Sequence, residues 1–382
     1  MTDRAAAGTD ATGGQPPDPR SISAKMMGQG SRGGGPVRVN LALQGGGAHG
    51  AFTWGVLDRL LEDEGIEIAG ISGTSAGALN GAALKAGLVA DGVGRDRAAA
   101  RANLDWLWHE VAGVNDLRLA TWFAQVAPPT AALSRVLEAT PAYAAADLAT
   151  RVVSPYAWGP AYTNPLERIV ARFDYDSVCA HTGPALFVSA TNVRTGKIRV
   201  FSHEEISTEA ILASAFLPTL FQAVEIDDPQ TGRREAFWDG GYTGNPALFP
   251  LFAPDLPDDV VVVNINPLYR EDVPRTGQEI QNRINEISFN SSLLRELRAI
   301  AFVKRLIAEG RVERGTMADI NVHMIADDAL MRELSVATKL IPSAVVLSRL
   351  KAAGRAAADA FLAAHAGDIG ARSTIDLEAT FG

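Results

Sequence analysis

The sequence predicts an α/β fold of three layers (α/β/α), in which a mostly parallel central sheet lies between helices. Strand-like apolar runs alternate with helical patterns between residues 37 and 87, which is typical of a parallel sheet. A G-x-G-x-x-G pattern follows the first of these strands, and a G-x-S-x-G pattern follows the second. Because the second pattern lies where a strand turns into a helix, we expect a sharp nucleophile elbow there.

The first four elements follow one another with short connections. Residues 37–44, VRVNLALQ, combine β-branched and apolar residues as a buried strand does. Apolar residues at helical spacing then predict a helix that begins near Phe52 and ends near Gly65. The run IEIAGIS predicts a second strand, and the small residues of GTSAGALNGAALKAG predict a second helix.

The same alternation recurs further along the chain. Strands are predicted at 184–193, 198–203 and 258–267, and helices at 207–216, 275–310 and 343–365. In the helix at 275–310 we expect one apolar stripe to pack on the sheet with charged residues outward, and docking on a membrane surface is the alternative. The stripe consists of Ile280, Ile284, Ile287, Leu294, Leu297 and Ala301. The basic residues of this helix are Arg283, Arg295, Arg298, Lys304 and Arg305.

Composition changes divide the chain into three predicted parts. Residues 1–36 are rich in Gly, Pro, Ala and Ser, which predicts a flexible tail. Residues 37–256 form the predicted catalytic domain, and residues 257–382 a C-terminal strand and helical extension that packs on its core. Within the domain, the segment 90–165 is predicted to be inserted between strands, either as a cap or as ordinary helix packing. It holds four of the six tryptophans, Trp106, Trp108, Trp122 and Trp158.

The composition also excludes several classes of function. With 382 residues, 47% of them hydrophobic, the chain can bury a sizeable core, and its net charge of −9 argues against a general nucleic-acid binder. A single cysteine excludes an intramolecular disulfide and a cysteine-based zinc site. No metal-binding motif is present, so we expect no cofactor and calcium-independent activity. No apolar run is long enough for a signal peptide or a membrane span, so we expect a cytoplasmic protein, soluble or in peripheral contact with lipid surfaces, although leaderless secretion is compatible with this pattern.

The glycine-rich motif, NLALQGGGAHGAFTWG, is compatible with two functions. Gly45, Gly47 and Gly50 match the dinucleotide-binding fingerprint, but the same glycines are suited to a pocket of backbone N–H groups for a transient oxyanion. A dinucleotide site requires an acidic residue at the end of the second strand to bind the ribose. The strand IEIAGIS ends without one, which favours the oxyanion.

The second motif, GTSAG, places Ser75 between a strand and a helix. Gly73 and Gly77 remove side chains that would clash at a sharp turn, and the helix N-terminus favours negative charge near Ser75. The alternative is that Ser75 only caps the helix.

The third motif, FWDGGYTGNP, contains Asp239. An Asp-Gly pair commonly forms a turn, and a plain turn is the alternative here. Because Phe237 and Trp238 precede Asp239, an apolar environment is expected to raise the pKa of its carboxyl toward that of a useful base.

Together and in this order, the three motifs resemble those of the patatin-like phospholipase family. The motif residues are Gly45, Gly46, Gly47, Ala48, His49 and Gly50; Gly73, Thr74, Ser75, Ala76 and Gly77; and Asp239, Gly240 and Gly241. The segments ASAFLPTLFQAVEI before Asp239 and NPALFP after it are also similar to that family, so the resemblance covers about residues 38–252.

The resemblance implies a Ser-Asp dyad that hydrolyses acyl esters of lipids. Ser75 would be the nucleophile, Asp239 the base, and N–H groups of Gly45, Gly46, Gly47 and Ala48 would hold the oxyanion. The family often has Arg or Lys where this sequence has His49. Because the oxyanion donors are backbone groups, we expect this difference to be tolerated, and whether His49 adds a charge near the oxyanion stays open.

Three other functions remain as alternatives from the sequence. The first is a Ser-Asp-His esterase, thioesterase or polyester depolymerase, in which the histidine follows the aspartate and His323, rather than the helical His365, is the better candidate. The second is a non-catalytic lipid-binding or scaffold protein. The third is a nucleotide-binding dehydrogenase. The sequence predicts neither the lipid class nor the oligomeric state.

Overall fold

The computed structural model describes residues 35–113, 132, 136, 154–157, 164, 166–218, 220–275, 277–335, 338–339 and 341–381. The predicted tail lies almost entirely outside these ranges, as does most of the predicted insertion, including Trp122 and Trp158. Pro36–Gly382 form one compact unit. The predicted boundary between residues 256 and 257 stays a prediction.

Eight strands and ten α-helices lie in the described ranges. The strands are β1 (Val37–Leu43), β2 (Ile66–Gly73), β3 (Ala185–Asn192), β4 (Ile198–Ser202), β5 (Val224–Asp228), β6 (Arg233–Asp239), β7 (Asp259–Asn264) and β8 (Asn321–Ala326). The helices are α1 (Gly50–Leu60), α2 (Ala76–Leu88), α3 (Arg97–Ala112), α4 (Glu167–Val170), α5 (Tyr175–Val178), α6 (Thr208–Ala215), α7 (Gly277–Ala308), α8 (Asp328–Glu333), α9 (Ala344–His365) and α10 (Leu377–Phe381). None of these helices combines the length and the apolar composition needed to cross a bilayer.

The strands form one mixed sheet in the order β5-β6-β3-β2-β1-β7-β8, with β4 also paired to β3. The five strands β3, β2, β1, β7 and β8 are parallel to their neighbours within this set. β4 and β6 pair antiparallel to β3, and β5 pairs antiparallel to β6. The predicted α/β fold with a mostly parallel central sheet is therefore confirmed.

Alternate residues of the central strands pack against two different layers, because successive side chains of a strand point to opposite faces. Leu41 and Leu43 of β1 belong to the apolar cluster that includes buried residues of α1, α2, α6 and α9. Ala42 of β1 instead belongs to a second cluster with Leu293 and Leu297 of α7. The sheet therefore lies between helical layers, as the sequence predicts.

The long helix corrects one prediction. Leu297 of the predicted stripe is buried, but Ile280, Ile284 and Ile287 are 44%, 52% and 54% exposed. The buried face is instead formed by Leu293, Leu297 and Ile300, at the spacing of one helix face. The N-terminal isoleucines lie on a different face of the helix from these residues, so the expected single packing stripe is wrong there.

The predicted role of the aromatic segment is tested only in α3. Trp108 is buried and stacks on Trp54 of α1, with ring centroids 6.3 Å apart. Trp106 packs edge-on against Phe173, with ring centroids 5.6 Å apart. These two tryptophans are packing residues.

Candidate active site

Ser75 lies at a sharp turn between β2 and α2. Its backbone has φ 54° and ψ −123°, a region that residues with a side chain rarely adopt and that stores local strain. Although Ser75 occupies the N-cap position, its side chain makes no capping hydrogen bond. The plain helix cap is therefore wrong, and the hydroxyl is available for another role.

The two glycines of GTSAG make this turn sterically possible. A Cβ atom on Gly77 would overlap the carbonyl oxygen of Leu43, and one on Gly73 would lie 2.6 Å from the carbonyl oxygen of Gly77. The Ser75 N–H donates to Ser214 Oγ at 2.9 Å, which anchors the turn to α6. The elbow thus depends on close backbone approaches that only glycine permits.

The glycine-rich loop contacts the elbow directly. A Cβ atom on Gly45 would lie 2.6 Å from the Ser75 Cβ, and one on Gly50 would lie 2.6 Å from the Ala76 Cβ. Gly47 has φ +57°, a left-handed conformation that favours glycine. The first two predicted motifs therefore form one site.

The N–H groups of the loop are not equivalent. The Gly45 N–H donates to Asn245 Oδ1 at 2.7 Å, so it is already engaged and its predicted role as a free donor is wrong. Among the described residues, none accepts a hydrogen bond from the N–H groups of Gly46, Gly47 or Ala48. These three groups have the bonding capacity that an anionic oxygen next to Ser75 requires.

Asp239 is the last residue of β6, and β3 brings it to the elbow. Ala190 of β3 pairs with Asp239, and Val188, two residues earlier on β3, pairs with Gly73 at the end of β2. The Ser75 hydroxyl lies near enough to the Asp239 carboxyl to lower its pKa. The structure thus joins the second and third motifs across one strand.

Burial controls the charge of Asp239. The residue is 1% exposed, and desolvation raises the pKa of its carboxyl to about 7, although the Gly241 N–H and the Ser75 hydroxyl both lower it. The Gly241 N–H donates to Asp239 Oδ1 at 2.7 Å, which fixes the carboxyl orientation. A carboxyl with a pKa near 7 both accepts and returns protons near neutral pH.

An amide network, which the sequence did not predict, supports the glycine-rich loop. Gln44 Oε1 accepts the Asn266 N–H at 3.1 Å, and Asn266 Nδ2 donates to the Gly45 carbonyl at 2.8 Å. Gln44 Nε2 donates to Asn290 Oδ1 of α7 at 3.3 Å. Asn245 and Asn266 each precede a proline, but an Asn-Pro pair alone predicts only a turn or strand end.

His49 is neutral in this environment. It is buried, and desolvation together with the positive charges of Lys339 and Arg270 lowers the pKa of its imidazole well below the usual value. Its Nε2 lies 2.8 Å from Thr338 Oγ1, and that hydroxyl donates to the Ser335 carbonyl at 2.7 Å. His49 therefore donates from Nε2 and adds no charge, which answers the question that the sequence leaves open.

The buried amine of Lys339 lies beside the same loop. The Lys339 carbonyl contacts Gly47, since a Cβ atom on that glycine would lie 2.5 Å from its oxygen. Lys339 Nζ donates to Asn266 Oδ1 at 3.0 Å, and burial lowers the pKa of the amine, which the nearby Glu286 offsets only in part.

The candidate histidines lie elsewhere in the fold. His323 is in the middle of β8, fully buried, and its Nε2 lies 2.8 Å from Oδ1 of Asp259 at the amino end of β7. The Ser75 site lies instead at the carboxyl ends of β1 and β2. Nδ1 of His365, the last residue of α9, lies 3.0 Å from Oδ2 of Asp368. The geometry therefore gives no support to a Ser-Asp-His triad.

Neither a metal cluster nor a described groove coincides with the site. Within the ranges that the structure describes, no three His, Cys, Asp or Glu side chains lie together as a metal site. An open groove of about 580 Å³ is lined by residues that include Tyr175, Cys179 and Thr208, and neither Ser75 nor Asp239 belongs to it.

The part of the chain that contains the three motifs matches a known protein family. The family model for patatin-like phospholipases matches residues 41–252. Among solved structures, the chain is similar to VipD from Legionella pneumophila, with 15% identity over 83% of this chain and 67% of that one, and a TM-score of 0.32. A comparison with curated protein sequences finds no match.

Proposed function

Because the chain belongs to the patatin-like phospholipase family, a group of lipid acyl hydrolases, we propose that Ser75 and Asp239 form its catalytic dyad. The observation that carries the proposal is the strained Ser75, whose hydroxyl does not cap its own helix and lies beside the buried carboxyl of Asp239, whose pKa it lowers. A serine hydroxyl needs such a base, because it is too weakly acidic to attack an ester unaided.

In the first half of the proposed reaction, Asp239 accepts the Ser75 proton while Oγ attacks the ester carbonyl carbon. The carbonyl oxygen becomes an oxyanion, which the N–H groups of Gly46, Gly47 and Ala48 stabilise. Collapse of this intermediate breaks the bond to the leaving alcohol, and Asp239 returns its proton to that alcohol. Ser75 then carries the acyl group.

In the second half, Asp239 accepts a proton from water, whose oxygen attacks the acyl-enzyme carbonyl. The same N–H groups hold the second oxyanion, and the proton passes to Ser75 as the carboxylic acid leaves. Loss of one such donor costs about 3 kcal/mol of transition-state stabilisation. The amide network around Gln44 and Asn266 therefore acts by keeping these donors in position.

Labelling with a fluorophosphonate probe tests the nucleophile. We expect one label per chain, located on Ser75 by peptide mass mapping and absent from Ser75→Ala. Ser177 supplies a matched control, because its hydroxyl also donates to an aspartate, Asp174 Oδ2, at 2.6 Å, but lies on the exposed surface without an elbow. Label on Ser177, or retained label in Ser75→Ala, would refute the dyad.

Ester hydrolysis tests the activity and the substrate class. We expect wild type to hydrolyse p-nitrophenyl esters and phospholipid vesicles, with a preferred chain length revealed by an acyl-chain series. Ser75→Ala and Asp239→Ala should be inactive on both. If a folded wild type binds vesicles but hydrolyses none of these substrates and takes no label, the protein is a lipid-binding module and the enzymatic proposal fails.

A further inference from the structure

The outward side of α7 carries an apolar stripe that nothing in the described structure covers. Ile280, Ile284 and Ile287 are each about half exposed, and Phe302, near the other end of the helix, is 51% exposed. Isolated exposed apolar residues are common, but four on the same face of one helix are not expected unless a partner covers them.

The same side of the helix is basic. Arg295, Arg298 and Arg305 are exposed and fall at helical spacing with the isoleucines and Phe302. The outer face of α7 is therefore defined as Ile280, Ile284, Ile287, Arg295, Arg298, Phe302 and Arg305. At 1.5 Å per residue it extends for about 37 Å.

The acidic residues of α7 are directed elsewhere. Glu286 is buried and pairs with Arg270 at 2.6 Å. Glu296 accepts the N–H groups of Leu248 and Phe249, both at 2.8 Å, and Glu279 accepts the Arg275 N–H at 2.8 Å. A positive, partly apolar face thus lies on a chain whose net charge is −9.

The inner side of the same helix supports the candidate active site. Phe289 lies against Gly241 and packs edge-on against Tyr242, with ring centroids 5.3 Å apart. Asn290 accepts the Gln44 amide. Ile284 and Ile287 belong to the turns of α7 adjacent to Phe289 and Asn290. A partner that contacts the outer face is therefore separated from the glycine-rich loop by the thickness of one helix.

We propose that the outer face of α7 docks on lipid surfaces with anionic head groups. The isoleucines and Phe302 enter the boundary between head groups and acyl chains, and the arginines pair with lipid phosphates. Although Glu378 of α10 lies 3.9 Å from Arg305 at one end of the face, the combination of basic and large apolar side chains fits a surface of anionic head groups over acyl chains. The inference rests on the proposed function only in that the substrate is a lipid.

Vesicle co-sedimentation of the Ser75→Ala protein tests docking without hydrolysis. The vesicles contain phosphatidylcholine alone or with about one third phosphatidylglycerol. We expect binding to the anionic vesicles. Replacing the three isoleucines by Ser should weaken it at least about tenfold, and replacing the three arginines by Gln should weaken it about a hundredfold, at about fivefold per arginine.

Matched variants carry comparable changes on other surfaces. Val93→Ser with Met317→Ser removes two exposed apolar side chains, 66% and 46% exposed. Replacing Lys197, Arg233 and Arg234 by Gln removes three exposed positive charges near the β3–β4 and β5–β6 turns. Both sets should bind anionic vesicles as the Ser75→Ala parent does, and equal losses in the matched and outer-face variants would overturn the proposal.

Two further measurements separate the possible failures. In the active background, turnover of a short-chain water-soluble ester tests the dyad without a lipid surface. If that activity is present while the isoleucine variant binds vesicles like its parent, docking by α7 is wrong and the enzymatic proposal stands. If gel filtration instead shows a dimer that the isoleucine substitutions dissociate, the face joins two copies and lipid docking is refuted.

Discussion

The raised pKa of Asp239 predicts that Asp239→Asn stabilises the fold while it abolishes activity. The pKa of this carboxyl is about 7 in the folded protein, against an ordinary value of 3.8. Because the folded pKa is the higher one, the native state binds the proton more tightly than the unfolded chain. The stability that protonation contributes is complete below pH 3.8 and is lost as the pH rises through 7.

The magnitude follows from linkage at 1.36 kcal/mol per pKa unit. Relative to a group that does not titrate, Asp239 destabilises the folded state by about 4 kcal/mol at pH 8 and by about 1.7 kcal/mol at pH 5. Asparagine keeps an oxygen for the Gly241 N–H but does not titrate. The stabilisation of the folded state by Asp239→Asn, relative to wild type, should therefore be about 2.5 kcal/mol larger at pH 8 than at pH 5.

Urea denaturation of both proteins at pH 5 and pH 8 measures this difference. The same pKa predicts that kcat/KM of wild type falls about tenfold per pH unit below pH 7, because only the ionised carboxylate accepts the Ser75 proton. Equal stability differences at the two pH values would show that burial does not hold the pKa near 7 and would refute the argument.

Glu296 provides the control for this experiment. Burial raises the pKa of its carboxyl to about 7 as well, but its contacts are with the N–H groups of Leu248 and Phe249. Glu296→Gln should change the pH dependence of stability in the same direction, yet leave the ascending limb of the pH–rate profile at pH 7. A shift of that limb would assign it to Glu296 instead of Asp239.

Four other outcomes are expected. Gly77→Ala should destabilise the fold by about 3 kcal/mol or more, because its Cβ overlaps the Leu43 carbonyl, whereas Gly367→Ala, which has open space, should be neutral in the same thermal melts. His49→Gln should leave the pH limb of kcat/KM unchanged, because His49 is already neutral; loss of the limb would contradict this. His323→Ala should retain most esterase activity at a temperature where it is folded, and a loss of activity would indicate a histidine triad. The activity of wild type should also persist after dialysis against EDTA, and a loss there would indicate a required metal.

The sequence predicted the elements that carry strong local signals. β1, β2, β3 and β7 are apolar runs between turn residues, and Gly73 and Gly77 mark a bend whose geometry is set by neighbouring residues. Such patterns are local, so one chain is enough to detect them. Phe237 lies on the same buried face of β6 as Asp239, so this apolar residue correctly indicated that burial raises the pKa of Asp239, whereas Trp238 is only half-buried.

The support for the glycine-rich loop could not be predicted in this way. Asn245 and Asn266 reach Gly45 from positions 200 and 221 residues away, and polar residues carry no periodicity that reveals such pairing. Similarly, the isoleucines of α7 have helical spacing, but spacing alone does not say which face meets the sheet. Only Leu293 and Leu297, packed with Ala42, establish that orientation.

The amide network has a consequence for anyone who would transplant this site. Asn266, Asn290 and Lys339 all lie beyond residue 252, where the match to the family model ends. A chimera that exchanged only the matched segment would keep Ser75 and Asp239 but lose Asn266, which donates to the Gly45 carbonyl, and Asn290, which accepts the Gln44 amide. The glycine-rich loop therefore has to be exchanged together with Asn266, which follows β7, with the inner side of α7 and with Lys339.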